Sequence, residues 1–271
     1  MENISEFLKD LRKEAEANPM TNEEFQQFQV DCYNKEEGNL NEEDGIDCKF
    51  CKNKGWIQFI KGGYVMTRQC RCEAKRKTYR RAKRSGLGEY LKKTLDDYRT
   101  NAPWQETLKG ITKEFIDYHS QDNVWMMACG QSGSGKTLLC SIVANHLLFT
   151  EAREVLYVTW TDFISKLKRD MMGDKTNKVS DYLEEVKKCE VLFLDETLKK
   201  YNETDLKYLI EIINYRYTND LKTIITSERV LDELLDIDEA TFGRAVEKCE
   251  GYLMNIPKDR CKNYRLRAVT V

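Results

Sequence analysis

Gly130-Gln131-Ser132-Gly133-Ser134-Gly135-Lys136-Thr137 fits the pattern G-x-x-x-x-G-K-[ST], and both of its flanks agree with it. The run before it, 124–129 (VWMMAC), is short and apolar, as a strand buried on both faces should be. After it, Leu138, Leu139, Ile142, Val143, Leu147 and Leu148 recur at helical spacing. A strand that turns through glycines into a helix can point backbone N–H groups inward around an anion, and the helix start adds its positive end. The pattern predicts a nucleoside-triphosphate site, for ATP or GTP, with contacts from Gly130 through Leu138. Lys136 is expected on the β- and γ-phosphates and the Thr137 hydroxyl on Mg²⁺.

A second apolar run, 191–194 (VLFL), ends in Asp195-Glu196. An acid at the end of such a strand lies beside the phosphate loop and can hold Mg²⁺ through water, which fits Asp195. The adjacent Glu196 can orient and polarise an attacking water. Hydrolysis is then expected, and transfer to a small acceptor disfavoured. The plainer alternative makes Glu196 a cap on the following helix, where acids are favoured.

Five buried-strand candidates, 124–129, 155–160, 190–195, 222–227 and 252–256, alternate with helical segments at 138–149, 161–172, 180–188 and 203–217. Alternation of this kind predicts an α/β domain: a five-stranded parallel sheet of P-loop type with helices on both faces. Before it, Trp104, Leu108, Ile111, Phe115 and Ile116 form a helical stripe expected to pack on the sheet. The prolines at 19, 103 and 257 fall outside the proposed elements.

The net charge of −2 hides a polarity along the chain. Residues 1–47 carry 14 acids against 4 bases, whereas 71–84 carry 8 bases against Glu73 alone. Ile4, Phe7, Leu8, Leu11 and Ala15 predict an amphipathic helix over 4–16. Thr21 with Glu24 reads as a capping box that opens a second helix carrying Phe25, Phe28 and Cys32. This acidic arm, 1–45, either packs on its own chain or docks a partner. Cys48-Lys49-Phe50-Cys51 and Cys70-Arg71-Cys72 flank an insert whose glycines separate two strand-like runs. That spacing predicts a four-thiolate zinc site through Cys48, Cys51, Cys70 and Cys72 in a module of 46–85, with unligated thiols as the alternative. The basic run 75–84 that follows either faces phosphates or is a solvated connecting helix. No run approaches the ~18 apolar residues of a membrane span, and the first residues do not read as a signal peptide, so a cytoplasmic setting with reduced thiols is expected.

With these pieces in place, the chain resembles the DnaC/DnaI-type replicative helicase loaders, in particular the phage and prophage versions. The resemblance runs from about residue 46 to the end. It takes in the ribbon cysteines, the segment 85–89 (SGLGE), Trp104, the phosphate loop, Asp195-Glu196, 157–160 (YVTW), 213–217 (INYRY), 223–227 (TIITS) and 231–235 (LDELL). It implies an AAA+ ATPase of the initiator clade over 86–271, using ATP, Mg²⁺ and Zn²⁺. It further implies self-assembly through the ATPase domain, loading of a DnaB-type ring helicase onto single-stranded DNA, and a place in the primosome. Thr226 or Ser227 matches the first sensor of such proteins, Arg244 the arginine finger that reaches a neighbouring subunit's ATP, and Arg265 the second sensor. The chain ends six residues after Arg265, so the helical lid that usually carries this arginine is expected to be missing. In the extra helix of the clade, at 161–172, Lys166, Lys168 and Arg169 are expected along a DNA backbone and Phe163 or Met171 against bases, with burial the alternative for the apolar pair.

Two other functions compete. One is a transposition helper ATPase resembling IstB, which the cysteine ribbon and acidic arm disfavour. The other is a DNA- or protein-binding adaptor that uses ATP as a switch and hardly turns it over.

Overall fold

A computed structural model describes residues 20–84, 88, 90–151, 153–172 and 176–266, and the chain divides into two compact units, 1–76 and 77–271. The helix expected over 4–16 lies outside the described residues.

In the first unit, α1 (Asn22–Lys35) opens on the capping box that the sequence predicts. The Glu24 N–H donates to Thr21 Oγ1 at 3.2 Å, and the Thr21 N–H donates to Glu24 Oε2 at 2.9 Å. A one-turn helix, α2 (Leu40–Asp44), follows. The insert between the cysteine pairs is a hairpin of β1 (Trp56–Lys61) and β2 (Tyr64–Gln69), antiparallel, turning at Gly62 and Gly63. Both glycines have positive φ, 61° and 78°, as a tight two-residue hairpin turn demands. Asn34 of α1 bonds to both the N–H and the C=O of Gln58, at 3.0 and 2.8 Å, and so satisfies part of the open edge of β1.

α3 (Cys72–Arg84) begins in this unit and carries the basic run. Arg76 departs from both expectations for that run, because it is fully buried. It grips Asp44 through both carboxylate oxygens, at 2.6 and 2.7 Å, and donates to the Ile46 carbonyl at 2.8 Å. A buried guanidinium is tolerated where a carboxylate meets it bidentately.

In the second unit, α4 (Pro103–His119) starts on Pro103, at a position where a missing N–H costs nothing. Pro103 thus belongs to a helix and not, as the sequence predicts, to the segments outside the elements. There follow β3 (Met126–Gly130), α5 (Lys136–Phe149), β4 (Val155–Thr159), α6 (Trp160–Met172), α7 (Thr176–Lys188), β5 (Val191–Asp195), α8 (Glu203–Thr218), β6 (Thr223–Ser227), α9 (Leu231–Leu235), α10 (Glu239–Cys249) and β7 (Leu253–Ile256). The five strands form one parallel sheet in the order β4-β5-β6-β3-β7. Met127, Leu192, Leu194 and Ile225 share a core with Trp160, Ile212 and Phe242. Strand alternation sends their buried neighbours Met126, Phe193 and Ile224 to the opposite face, and α5 packs along β3, β4, β5 and β6. Both faces of the sheet are therefore covered, as continuous apolar strands require.

Two expectations for 161–172 change. Phe163 is fully buried in the core beside Trp160, so it cannot meet a base; its ring is part of the apolar stripe that holds α6 to the sheet. Lys168 forms an ion pair with Asp205 at 2.9 Å, and Lys166 lies over the Tyr182 ring at 3.2 Å. Met171 is exposed.

Candidate functional site

The phosphate loop spans the junction of β3 and α5, and two glycines have no substitute there. Gly130 has φ 104°, and a Cβ on it would fall 1.8 Å from the Ile256 carbonyl oxygen of the neighbouring β7. Gly135 has φ 93°, and its Cβ would fall 2.7 Å from the Tyr98 ring. Lys136 turns its Nζ back onto the carbonyls of Gly130 and Gln131, at 2.9 and 2.7 Å. Burial pulls its ammonium below the ordinary lysine range, with Glu228 opposing that shift. Ser132 Oγ donates to Glu228 Oε1 at 2.8 Å, and Ser134 Oγ to the Gln131 carbonyl at 2.7 Å.

Asp195 closes β5 between the ends of β4 and β6, and three hydroxyls converge on its carboxylate. Thr137 donates to Oδ1 at 3.0 Å, Thr226 donates to the same oxygen, and Tyr157 donates to Oδ2 at 2.8 Å. Burial, then the carboxylate itself, pushes the Tyr157 phenol far up, which keeps it a donor. Thr226 Oγ1 also accepts the Glu196 N–H at 2.9 Å. Glu196 takes a left-handed backbone, φ 54°, and its carboxylate meets Lys199 at 2.8 Å. Ser227 borders the same space, but its hydroxyl donates to the Thr197 carbonyl at 2.8 Å. Of the two candidates for first sensor, Thr226 is the one joined to both acids. The Thr137 hydroxyl and the Asp195 carboxylate form the hard oxygen pair that suits Mg²⁺.

A cavity of about 80 Å³ lies among Lys136, Thr137, Glu196, Thr226, Glu228 and Arg265. A second, of about 250 Å³, is bounded by Tyr90, Tyr98, Arg99, Leu138, Tyr264 and Arg265. Gly133, Gly135, Leu138, Tyr90 and Arg265 line both, so the small polar space and the larger apolar one adjoin, as a triphosphate and its nucleoside would need. The segment after β7 folds back over the loop: the Tyr264 N–H donates to the Gly133 carbonyl at 2.9 Å, and the Asp259 N–H to Gln131 Oε1 at 2.8 Å. Arg265 reaches the phosphate end by this route. Arg244 lines neither cavity; on α10 it donates to Asn214 Oδ1 at 2.9 Å.

In the first unit, the structure brings Cys48, Cys51, Cys70 and Cys72 together, all buried, with their sulfurs within 4.8 Å of one another. The Cys48–Cys70 and Cys51–Cys72 sulfurs are 3.7 and 3.5 Å apart. Four thiolates at about 2.3 Å around a tetrahedral zinc would lie roughly 3.8 Å apart, so the donor set fits that ion. The Gly55 N–H donates to Cys51 Sγ at 3.3 Å. Burial pushes the Cys48 thiol up, but backbone N–H groups of Cys51 and Phe50 outweigh it and bring the thiol to about 7. All ten cysteines are free thiols, and no described helix is long and apolar enough to cross a membrane.

Sequence reasoning missed Tyr157 and Tyr98. The signal for Tyr157 is a lone hydroxyl in the apolar run 155–158, two residues before the strand end. Tyr98 has no local signal, because only the fold sets it against Gly135.

Residues 126–245 match the family described as the ATPase family associated with various cellular activities (AAA). Over that segment the chain is similar to AAA ATPases, a class that uses a nucleotide and Mg²⁺. The phage-like element PBSX protein XkdC of Bacillus subtilis (strain 168) is 29% identical over 241 residues, covering 82% of this chain and 87% of that protein. The replicative helicase loader DnaC of Buchnera aphidicola (subsp. Acyrthosiphon pisum, strain APS) is 25% identical over 132 residues, which is 48% of this chain and 52% of that one. Domain III of the Thermotoga maritima replication initiation protein DnaA shares the fold, with a TM-score of 0.50 at 20% identity, covering 62% of this chain and 69% of that one.

Proposed function

We propose that this protein is an ATP-driven loader that places a DnaB-type ring helicase on single-stranded DNA as replication starts. The observation that supports this reading is that the segment similar to the AAA family brings together the phosphate loop with Lys136 and Thr137, then Asp195, Thr226 and Glu196, in hydrogen-bonded sequence. Similarity to the loader DnaC points that ATPase toward a helicase. In this reading, Lys136 moves from the loop carbonyls to the β- and γ-phosphates, and Thr137 with Asp195 holds Mg²⁺. Bound Mg²⁺ supplies charge neutralisation on the phosphates. Glu196 orients the attacking water, Thr226 and Arg265 sense the γ-phosphate, and Arg244 serves the ATP of a neighbouring subunit.

The four cysteines would hold one zinc ion, and the acidic arm of 1–45 would dock the helicase, since phosphate repels it. The test is co-purification of the full chain with the replicative helicase of the same host or phage, with and without ATP, followed by loading of that helicase on single-stranded DNA. No association under either condition rejects the loader. The Glu196–Lys199 pair favours a second reading, an ATP-switched adaptor in which the water-orienting acid stays engaged with a lysine. Burst-free, negligible turnover in the presence of the helicase would select it.

A further inference from the structure

The zinc-type hairpin carries a surface that the ATPase chemistry does not use. From Cys48 through Arg71 there are six lysines and arginines and no acid. Lys52 and Lys54 spend their ammonium groups on carbonyls of Lys35 and Glu36. Lys49, Lys61, Arg68 and Arg71 are left exposed.

The β1–β2 register pairs Ile57 with Arg68, Phe59 with Met66 and Lys61 with Tyr64, and directly opposed residues share a face. Basic groups therefore stand at both ends of that face, Lys61 beside Tyr64 and Arg68 beside Ile57, with Phe59 and Met66 between them. Tyr64 is 74% exposed, Phe50 beside the hairpin 62%, and Met66 45%. Arg71 lies over the Phe50 ring at 3.6 Å and Arg68 over the Phe59 ring at 5.4 Å. Between these two stacks is a recess of about 380 Å³, lined by Phe50, Ile57, Arg68, Gln69, Cys70 and Arg71.

Exposed aromatics in such a patch are not left over from a failed core, because a metal-held module takes its stability from the ligands. A protein partner would be met by a mixed-sign rim around an apolar centre. Here the hairpin segment's own charges are all positive, and two of its rings, Phe50 and Phe59, lie under guanidinium groups. That combination suits a chain of phosphates carrying bases that can stack.

We propose that this face of the β1–β2 hairpin, from Tyr64 past Arg68 to Phe50 and Arg71, is a platform for single-stranded DNA. Stacking and phosphate contacts carry no preference for deoxyribose; the choice of DNA rests on the loader reading above.

The experiment is fluorescence anisotropy of a short labelled oligo(dT) with the full chain, without nucleotide, beside oligo(U) and a DNA duplex. Tyr64→Ala and Arg68→Gln are both expected to weaken oligo(dT) binding by roughly tenfold, the scale of one lost stack or a lost charged contact. Arg68→Gln should also lower the salt slope by about 0.7, the value for one phosphate of a single strand. Zinc content and ATP affinity serve as folding controls, since neither residue is one of the four cysteines or part of the phosphate loop. Wild-type oligo(dT) affinity in both variants, or tighter binding of duplex than of oligo(dT), overturns the platform, and tighter binding of oligo(U) than of oligo(dT) overturns its assignment to DNA. A wild-type chain that binds oligo(dT) through these residues but never loads a helicase rejects the loader and leaves the platform standing.

Discussion

The Tyr157 hydroxyl donates to Asp195 Oδ2 at 2.8 Å, while Thr137 and Thr226 both donate to Oδ1. The carboxylate at the end of β5 is thereby held from the tips of β4 and β6 and from the first turn of α5. A group fixed on both oxygens is preorganised for a metal rather than waiting for one to order it.

Tyr157→Phe should therefore raise the Mg²⁺ concentration needed for half-maximal ATP turnover several-fold, while Mg²⁺-free nucleotide affinity stays put. The loss in stability should be about 1 kcal/mol, one buried hydrogen bond. A Mg²⁺ titration of the variant's ATPase decides it; an unchanged titration curve would reduce Tyr157 to packing against Phe193, its edge-on neighbour at 5.0 Å.

Glu196 and Lys199 make opposite predictions. Glu196→Gln should keep nucleotide affinity and lower turnover by about 10²–10⁴-fold, because the water is no longer polarised. Lys199→Ala frees the Glu196 carboxylate from an exposed pair, so basal turnover should rise, by no more than about fivefold given the ~1 kcal/mol ceiling for such pairs. Steady-state phosphate release measures both. Wild-type turnover in Glu196→Gln would move the catalytic role elsewhere.

Arg244 touches Asn214 and lines neither of the two cavities at the phosphate loop, which suits action in trans. Arg244→Ala should lower assembled turnover by roughly 10³-fold or more. Mixing it with Lys136→Ala chains should restore part of the activity, since one hybrid interface joins an intact site to an intact arginine. No rescue under conditions where the chains demonstrably assemble counts against the trans role.

Metal analysis should find one zinc per chain. Cys48→Ser, or a strong chelator, should unfold 46–72 and leave ATP binding intact, since the phosphate loop belongs to the other unit. A replete protein with well under one zinc per chain would refute the site.

Short-range features were legible in the residues themselves. The phosphate loop, the Thr21–Glu24 capping box, the Gly62-Gly63 turn and the five apolar strand runs all lie where spacing predicts them, because a turn, a cap or a strand is decided by neighbours a few residues apart. The cysteine spacing likewise foretold a four-sulfur cluster, since a hairpin returns its two ends to one point.

Tertiary structure alone decided which side chains meet. Tyr157 and Asp195 are 38 residues apart and Thr226 and Asp195 are 31, distances closed by strand order and register, which periodicity does not encode. Register gives the Thr226 hydroxyl Asp195 as its partner and the Ser227 hydroxyl the Thr197 carbonyl, because adjacent strand residues point to opposite sides. Packing turned Phe163 inward while leaving Met171 out, and a single carboxylate from α2 drew Arg76 out of a run that otherwise reads as surface. The sequence by itself determined the elements and the chemistry they carry; the fold determined the partners, because a hydrogen bond depends on where two strands end and not on the identity of the residues between them.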